Sequence, residues 1–341
     1  MKKTICKPLA IAALIAALSS CAGDPVTPPD WAQKVQSVYS QAAYIAQRGE
    51  GKTRQDAELD AAGAVARYIE SQITAEQSSR RVWTGDSESE SRTETSTVVR
   101  SQTRLVALRY AEDPWRNPAT DKWETVAYIE REEAWILYEP QAKKAAGAFL
   151  TLDAAAQNEA EPFTRALRYG AAAAYANGAE YGAVRGFAQV LHPQKAQACF
   201  AEADRAAAAL PEKLYAARQN APVFVDCPAD LDGIIRNAAV AALSAEGFPA
   251  EQNRAAARAL LRIRIDEGME QRQGVTAYTP ALSGTVEAAS VAVFSFNAAA
   301  PRQAAVTPEV AKRRAYTALA AALGQSFSGE LNRKLALYEK Q

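Results

Sequence analysis

The segment Tyr44-Ile45-Ala46-Gln47-Arg48-Gly49-Glu50-Gly51 reads as a short strand ending in a glycine turn. Thr53-Arg54-Gln55-Asp56 then forms a capping box, and the helix it opens runs to about Ile73. Leu59, Ala62, Ala66, Ile69 and Ile73 recur at spacings of three and four, which predicts one apolar stripe to lay on a sheet. From Arg81 to Thr97 Ser and Thr alternate with Glu and Arg, a pattern shared by solvated edge strands and loops. Val98 to Tyr110 and Lys122 to Glu133 are β-rich, and Trp135 to Tyr138 reads as an extension of the second. Strand, helix and then antiparallel strands predict an α+β module over residues 39–138 with the helix on one sheet face.

Alanine dominates the next region, 139–220, with Phe163, Leu167, Tyr169 and Tyr175 at helical spacing. Pro162, Pro193 and Pro211 divide it into three or four helices, a bundle or a pair of hairpins with no fixed-period repeat. Glu180 and Arg185 interrupt any apolar run long enough to span a bilayer. The last region, 221–341, reads as a strand at Val223-Phe224-Val225, a helix from Leu231 to Ala245, and strands at Ala259–Ile265 and Thr285–Phe296. Thr307-Pro308-Glu309 opens a final helix with the apolar stripe Leu319, Leu323, Phe327, Leu331 and Leu335. The expected fold class is therefore α+β, two small sheet-helix modules separated by an Ala-rich helical region. The shared strand-helix-strand-strand order leaves open whether the modules are duplicates.

The front of the chain carries the most specific pattern. Lys2, Lys3 and Lys7 precede an uncharged run from Leu9 to Leu18 that is too short to span a bilayer, which marks 1–20 as a signal peptide. Leu18-Ser19-Ser20-Cys21 resembles the bacterial lipobox, whose cysteine thiol takes a lipid; the alternative is an ordinary secretory signal with an incidental cysteine. Acylation at Cys21 would anchor the chain to a membrane, because each buried methylene contributes about 0.8 kcal/mol and several chains together hold firmly. Ala22 after the cysteine, by resemblance to enteric sorting signals, favours the outer membrane, with the body in the periplasm or at the cell surface. Residues 21–38, with Pro25, Pro28 and Pro29, read as a tether.

Several residues of the first module carry a family resemblance. They are Pro29-Asp30-Trp31, Tyr44, Gly49-Glu50-Gly51, Thr53, and the alanines Ala57, Ala61, Ala64 and Ala66, followed by Trp115 and the strand from Trp123 to Ile129. This pattern resembles the LPP-twenty family of bacterial lipoproteins, whose relatives include a flagellar basal-disk lipoprotein. The resemblance covers residues 29–138. It implies envelope partners, motility-related ones among them, and no catalytic residues to carry over.

The sequence has 341 residues, 48% apolar and 23% charged, which is a globular balance. Lys+Arg and Asp+Glu both total 39, so no single-signed field draws the chain to nucleic acid. Removing the three signal-peptide lysines leaves 36 basic against 39 acidic side chains, so the lipid rather than charge must do the anchoring.

Candidate chemistry is sparse. Gly51-Lys52-Thr53 ends like a phosphate loop, but the first glycine of that motif would fall on Ala46; no nucleotide or other cofactor is expected. His192 is the single histidine, which removes multi-histidine zinc sites and leaves a helix cap as its reading. Cys199 and Cys227 remain after signal cleavage and lipidation; in an oxidising compartment they either pair as a disulfide or stay as two inert thiols. Asp230-Leu231-Asp232-Gly233 lacks the later ligands of a calcium loop and reads as a helix N-cap. Glu130, Glu132 and Glu133 are either paired carboxylates or charges that keep a strand soluble. Tyr169, Tyr175, Tyr181 and Phe187 either line a cleft or fill a core. The expectation is a non-enzymatic envelope lipoprotein that serves as a structural or assembly platform. The alternative is a lipoprotein that binds a cell-envelope component: peptidoglycan, lipid or polysaccharide.

Overall fold

The computed structural model describes residues 27–81, 107–272 and 274–340. The signal peptide, Cys21, the start of the tether, the Ser87–Thr97 run and most of the Val98–Tyr110 strand lie outside them. The fold is mixed α+β. Its described residues fall into two compact units, 27–72 with 107–137, and 73–81 with 138–340.

In the first unit, β1 (Tyr44–Gly51) and β4 (Lys122–Glu130) pair antiparallel along their length, while β2 (Leu108–Tyr110) and β3 (Trp115–Asn117) pair with the far edge of β4. The helix α3 (Arg54–Arg81) opens on the expected capping box: Thr53 Oγ1 accepts from the Asp56 N–H at 3.1 Å and Asp56 Oδ2 from the Thr53 N–H at 3.2 Å. Its buried stripe is Ala57, Ala61, Val65, Ile69 and Ile73, at a strict spacing of four, rather than the stripe expected through Leu59, which is 64% exposed. The small residues lead because the sheet comes very close. A Cβ on Gly49 would lie 2.1 Å from the Ala61 backbone nitrogen, and one on Gly51 would lie 2.4 Å from that of Ala57. The two glycines are a seat for a helix.

The other face of this sheet is clad by α1 (Asp30–Gln33) and α2 (Val35–Val38), residues assigned to the tether by sequence. Trp31, buried to 2%, packs with Ala111 and Val126, against Val35, Tyr39, Trp115 and Tyr128. Its indole N–H donates to Asp113 Oδ1 at 3.0 Å, which satisfies its polar end. Residues 30–38 thus belong to the folded body rather than to a tether.

Four helices follow, α4 (Arg131–Asn158), α5 (Pro162–Asn177), α6 (Ala179–Leu191) and α7 (Pro193–Gln219); α4 begins in the first unit and from Tyr138 onward they belong to the second. Trp135 to Tyr138 belong to α4 and do not extend β4, and the division between the two units, at 137/138, falls inside this helix. Pro162 and Pro193 stand at the first turn of their helices, but Pro140 and Pro211 lie inside α4 and α7. A proline removes one backbone donor, and buried Tyr138 and Ala142 before and after Pro140, like Leu210 and Ala217 around Pro211, hold the helix through it.

The helical region and the C-terminal α+β region form one compact unit rather than two domains. Phe163 of α5 meets Phe248 at 5.0 Å between ring centroids, and a Cβ on Gly170 would touch Leu335 at 3.1 Å. The sheet has the order β11-β10-β7-β5-β6, with β5 (Val223–Asp226), β6 (Ala250–Glu251), β7 (Ala259–Asp266), β10 (Ala281–Ala288) and β11 (Val291–Ala299). β5 and β7 run parallel across α8 (Ile234–Ala245), whereas the first unit's pairs are all antiparallel. The shared order of elements therefore hides two different topologies.

A second sheet, β8 (Met269–Arg272), β9 (Val275–Tyr278) and β12 (Gln303–Ala305), has the order β12-β9-β8. It continues the first: β7 leads into β8, β9 into β10 and β11 into β12, with the same neighbours on both sides of the break. Across the break Gly268 O accepts from the Thr279 N–H at 3.2 Å and Pro280 O from the Ala300 N–H at 3.0 Å. One three-stranded meander is bent at Gly268, whose φ of 55° and 2.5 Å approach to Thr279 O leave no room for a side chain. The helix α9 (Pro308–Tyr338) lies against it: Ala311 and Ala315 pack on Tyr278, and Phe327 on Phe294 and Phe296, each at 5.6 Å. Leu319, Leu323 and Leu331 of the expected stripe are buried, and Leu335 is half-buried.

The expected strand Thr285–Phe296 is in fact a hairpin, β10 and β11, turning on Ala289 (φ 48°) and Ser290 (φ 65°). A two-residue turn of this kind usually carries Asn-Gly, so Ala-Ser gives no turn signal and leaves the backbone strained. Replacing the pair by Ala289→Asn with Ser290→Gly should raise the urea midpoint by an amount equivalent to about 1–2 kcal/mol. A fall in midpoint would show that the turn does not have this conformation.

Candidate functional site

Most of the residues singled out by sequence hold elements together. Gly51-Lys52-Thr53 is the seat and cap of α3. Asp230 accepts from the Ile235 and Arg236 N–H groups, both at 2.9 Å, and so caps α8. Glu133 pairs with Arg109 at 2.7 Å, and Glu132 and Glu133 occupy the first turn of α4, where the helix dipole favours them. His192 closes α6 and opens α7, and its Nδ1 accepts from the Lys195 N–H at 3.5 Å. Among the described residues no cluster of His, Cys, Asp or Glu is arranged to hold a metal ion.

Of the two alternatives for Cys199 and Cys227, a disulfide or two separate thiols, the structure has both as free thiols. They have different surroundings. Cys199, on α7, is half-buried near Lys143 and Glu139. Cys227, just after β5, is 5% exposed, and burial together with Asp230 pushes its thiol up to about 11. A thiol held protonated is a poor nucleophile, so Cys227 should resist iodoacetamide in the native protein near neutral pH. In urea without reductant both cysteines should take the label. A mass two hydrogens short, with no label taken, would restore the disulfide.

The aromatic residues proposed for a cleft are mostly core. Tyr169, Tyr181 and Phe187 are buried and Tyr175 is half-buried. Phe187 packs on Tyr138 at 4.8 Å, and Tyr181 on Tyr175 at 5.3 Å. Two charged clusters were missed. Asp153, 4% exposed, receives Lys213 Nζ at 2.9 and 3.0 Å and Gln157 Nε2 at 2.6 Å, which ties α4 to α7. Glu267, at the bend of the meander, accepts from the Tyr316 hydroxyl at 2.8 Å and pairs with Lys312 at 2.7 Å. Burial alone would raise its carboxyl, but these two donors hold it below the ordinary carboxylate range. Ala229 O lies 3.0 Å from the same hydroxyl, as a second acceptor for its one proton, so this cluster locks α9 to the loop after β5.

A further polar surface lies on the outer face of the second unit's sheet. The register sets side chains in rows across β7, β10 and β11: Arg262–Thr285–Ser295, Arg264–Ser283–Asn297 and Asp266–Ala281–Ala299. The first row is closed, with Arg262 on Glu287 at 3.3 Å and the Thr285 and Ser295 hydroxyls 3.1 Å apart. The other two rows line a groove of about 400 Å³. Ala281 and Ala299 are too small to cover the strands, so the main chain of Ile265, Leu282 and Ala298 forms the floor. Arg264 has no hydrogen-bond or ion-pair partner among the described residues, and Asp266 uses Oδ1 to accept from the Gly268 N–H at 3.2 Å. The alternation of Arg262, Arg264 and Asp266 was visible in sequence, but their partners depend on a hairpin turn that carries no signal.

Among the described residues no helix is long and apolar enough to cross a membrane. No protein-family model and no curated protein matches the chain. Among solved structures it is similar to the crystal structure of the secreted protein HP1454 from the human pathogen Helicobacter pylori, at 13% identity over 87% of this chain and 96% of that one, with a TM-score of 0.30. At that score the likeness carries no argument about function.

Proposed function

We propose that the chain is a bacterial envelope lipoprotein, held to a membrane by acyl chains on Cys21, whose folded body is a structural or assembly platform rather than an enzyme. The observation that carries this reading is the basic start, the apolar run from Leu9 to Leu18 and the box Leu18-Ser19-Ser20-Cys21 in immediate succession. The structure adds a supporting point. Asp230, Glu133, His192, Lys213 and Glu267, the groups from which acid–base chemistry would be built, cap helices or bridge elements. Ala22 favours the outer membrane, and the LPP-twenty resemblance favours envelope partners, motility-related ones included.

Cell fractionation of a Cys21→Ala form tests the anchor. The variant should leave the membrane fraction and appear as a soluble species, and in-cell crosslinking of the wild type should recover envelope proteins. Retention of Cys21→Ala in the membrane, or a wild-type chain that crosslinks to nothing, would overturn the reading.

A further inference from the structure

We propose that the groove on the outer face of β7, β10 and β11 binds a carboxylate-bearing saccharide, a sugar acid or a glycan end that carries one. This goes beyond the platform reading and does not depend on the lipid anchor.

Five features of the groove carry it. Its volume, about 400 Å³, lies in the range of small-ligand sites. Arg264 is its one cation among the residues that line it, and it has no partner among the described residues. A guanidinium presents two parallel N–H donors that match a carboxylate, so an unpaired Arg at a groove wall selects a planar anion. Ser283 and Asn297 stand beside it in the same cross-strand row, one neighbour apart, and supply a hydroxyl and an amide that both donate and accept. Asp266, two positions along β7 on the same face, accepts only, which suits a sugar hydroxyl and repels a second anionic group. Ala281 and Ala299 complete the groove with methyl groups on which the C–H face of a sugar ring can rest. One carboxylate, several neighbouring hydroxyls and one apolar ring face describe a sugar acid. The adjacent row shows the contrast, because Arg262 on that face is already held by Glu287.

Calorimetric titration of the full-length protein in detergent, with galacturonic acid and galactose as a matched pair, tests the proposal. Galacturonic acid should bind at one site, and galactose should bind at least about tenfold more weakly, the difference expected for one charge-assisted contact. Arg264→Gln, at an exposed position, should keep the circular dichroism spectrum and weaken galacturonic acid binding by about tenfold or more. Ala299→Trp, which fills the groove, should abolish binding, while Arg262→Gln should change it by less than about twofold. The proposal fails if the two sugars bind alike, if galacturonic acid gives no heat, or if Arg264→Gln binds as the wild type does. A sugar phosphate that binds more tightly than galacturonic acid would also overturn the assignment to carboxylates.

Discussion

Replacing Gly49 by alanine should destabilise the first unit by about 3 kcal/mol or more, at the upper end for a single added methyl group. The new Cβ would sit 2.1 Å from the Ala61 nitrogen, 2.4 Å from the Ala57 carbonyl oxygen and 2.6 Å from the Ala61 Cα. All three are backbone atoms of α3, so no side chain can rotate away. Relief requires the whole helix to lift off β1, which would open the contacts of Ala57, Ala61 and Val65, all buried to 1% or less. Urea denaturation followed by circular dichroism, with amide exchange across Tyr44–Gly51, reads the effect. Gly63→Ala is the control: its nearest neighbour is the end of the Arg67 side chain at 3.1 Å, which can move. That change should be neutral or gain up to about 1 kcal/mol, because alanine is the better helix former. A Gly49→Ala protein that unfolds at the wild-type midpoint would show that the sheet and helix are not in direct backbone contact.

The second large effect lies in the other unit. Gly284 of β10 stands opposite Phe296 of β11, and its missing side chain is replaced by the Phe296 ring, whose atoms come within 2.2 Å of where a Cβ would be. That ring, 1% exposed, in turn meets Phe327 of α9 edge-on, at an interplanar angle of 87°. Phe296→Ala should cost about 3–5 kcal/mol, as for a large buried aromatic. Gly284→Ala should cost about 2–3 kcal/mol by pushing the ring off both its seat and Phe327. The two costs should not add. Once the ring is gone the methyl group has space, so Gly284→Ala in the Phe296→Ala background should cost close to nothing, a coupling of about 2 kcal/mol. Additive costs in a denaturation series would show that Phe296 does not lie over Gly284.

The two glycines also show what could be read from the sequence and what could not. A strand, a glycine turn and a capped helix were legible from Tyr44 to Asp56 because each rests on neighbours in the chain. The purpose of Gly49 and Gly51 was not, since a glycine required by a helix passing overhead looks the same as one required by a turn. The stripe of α3 was misplaced for a related reason: in an Ala-rich helix several faces have similar hydrophobicity, and only the sheet decides that Ala57 and Ala61 go inward while Leu59 stays out. Pro162 and Pro193 marked helix starts correctly, but Pro140 and Pro211 are tolerated through packing.

The candidate site was less legible than the fold. Asp230 and His192 were read as caps because capping is local. The pairs Asp153–Lys213 and Glu267–Tyr316 join residues 60 and 49 positions apart, a distance at which sequence alone offers no pairing. The row Arg264–Ser283–Asn297 was hidden by a single turn, Ala289-Ser290, which adopts an unusual backbone without the residues that usually announce it.

The placement of α9 has a consequence for how the chain acquires its structure. Every element this helix touches, from α5 through the bent meander, precedes it in the chain. With about 46 Å of helix to supply, from 31 residues at 1.5 Å each, the second unit lacks the wall of its core until its last stretch arrives. Such late, long-range closure is slow, because loop entropy must be overcome before distant contacts reward it. The second unit of this design therefore stays pliable until α9 has docked.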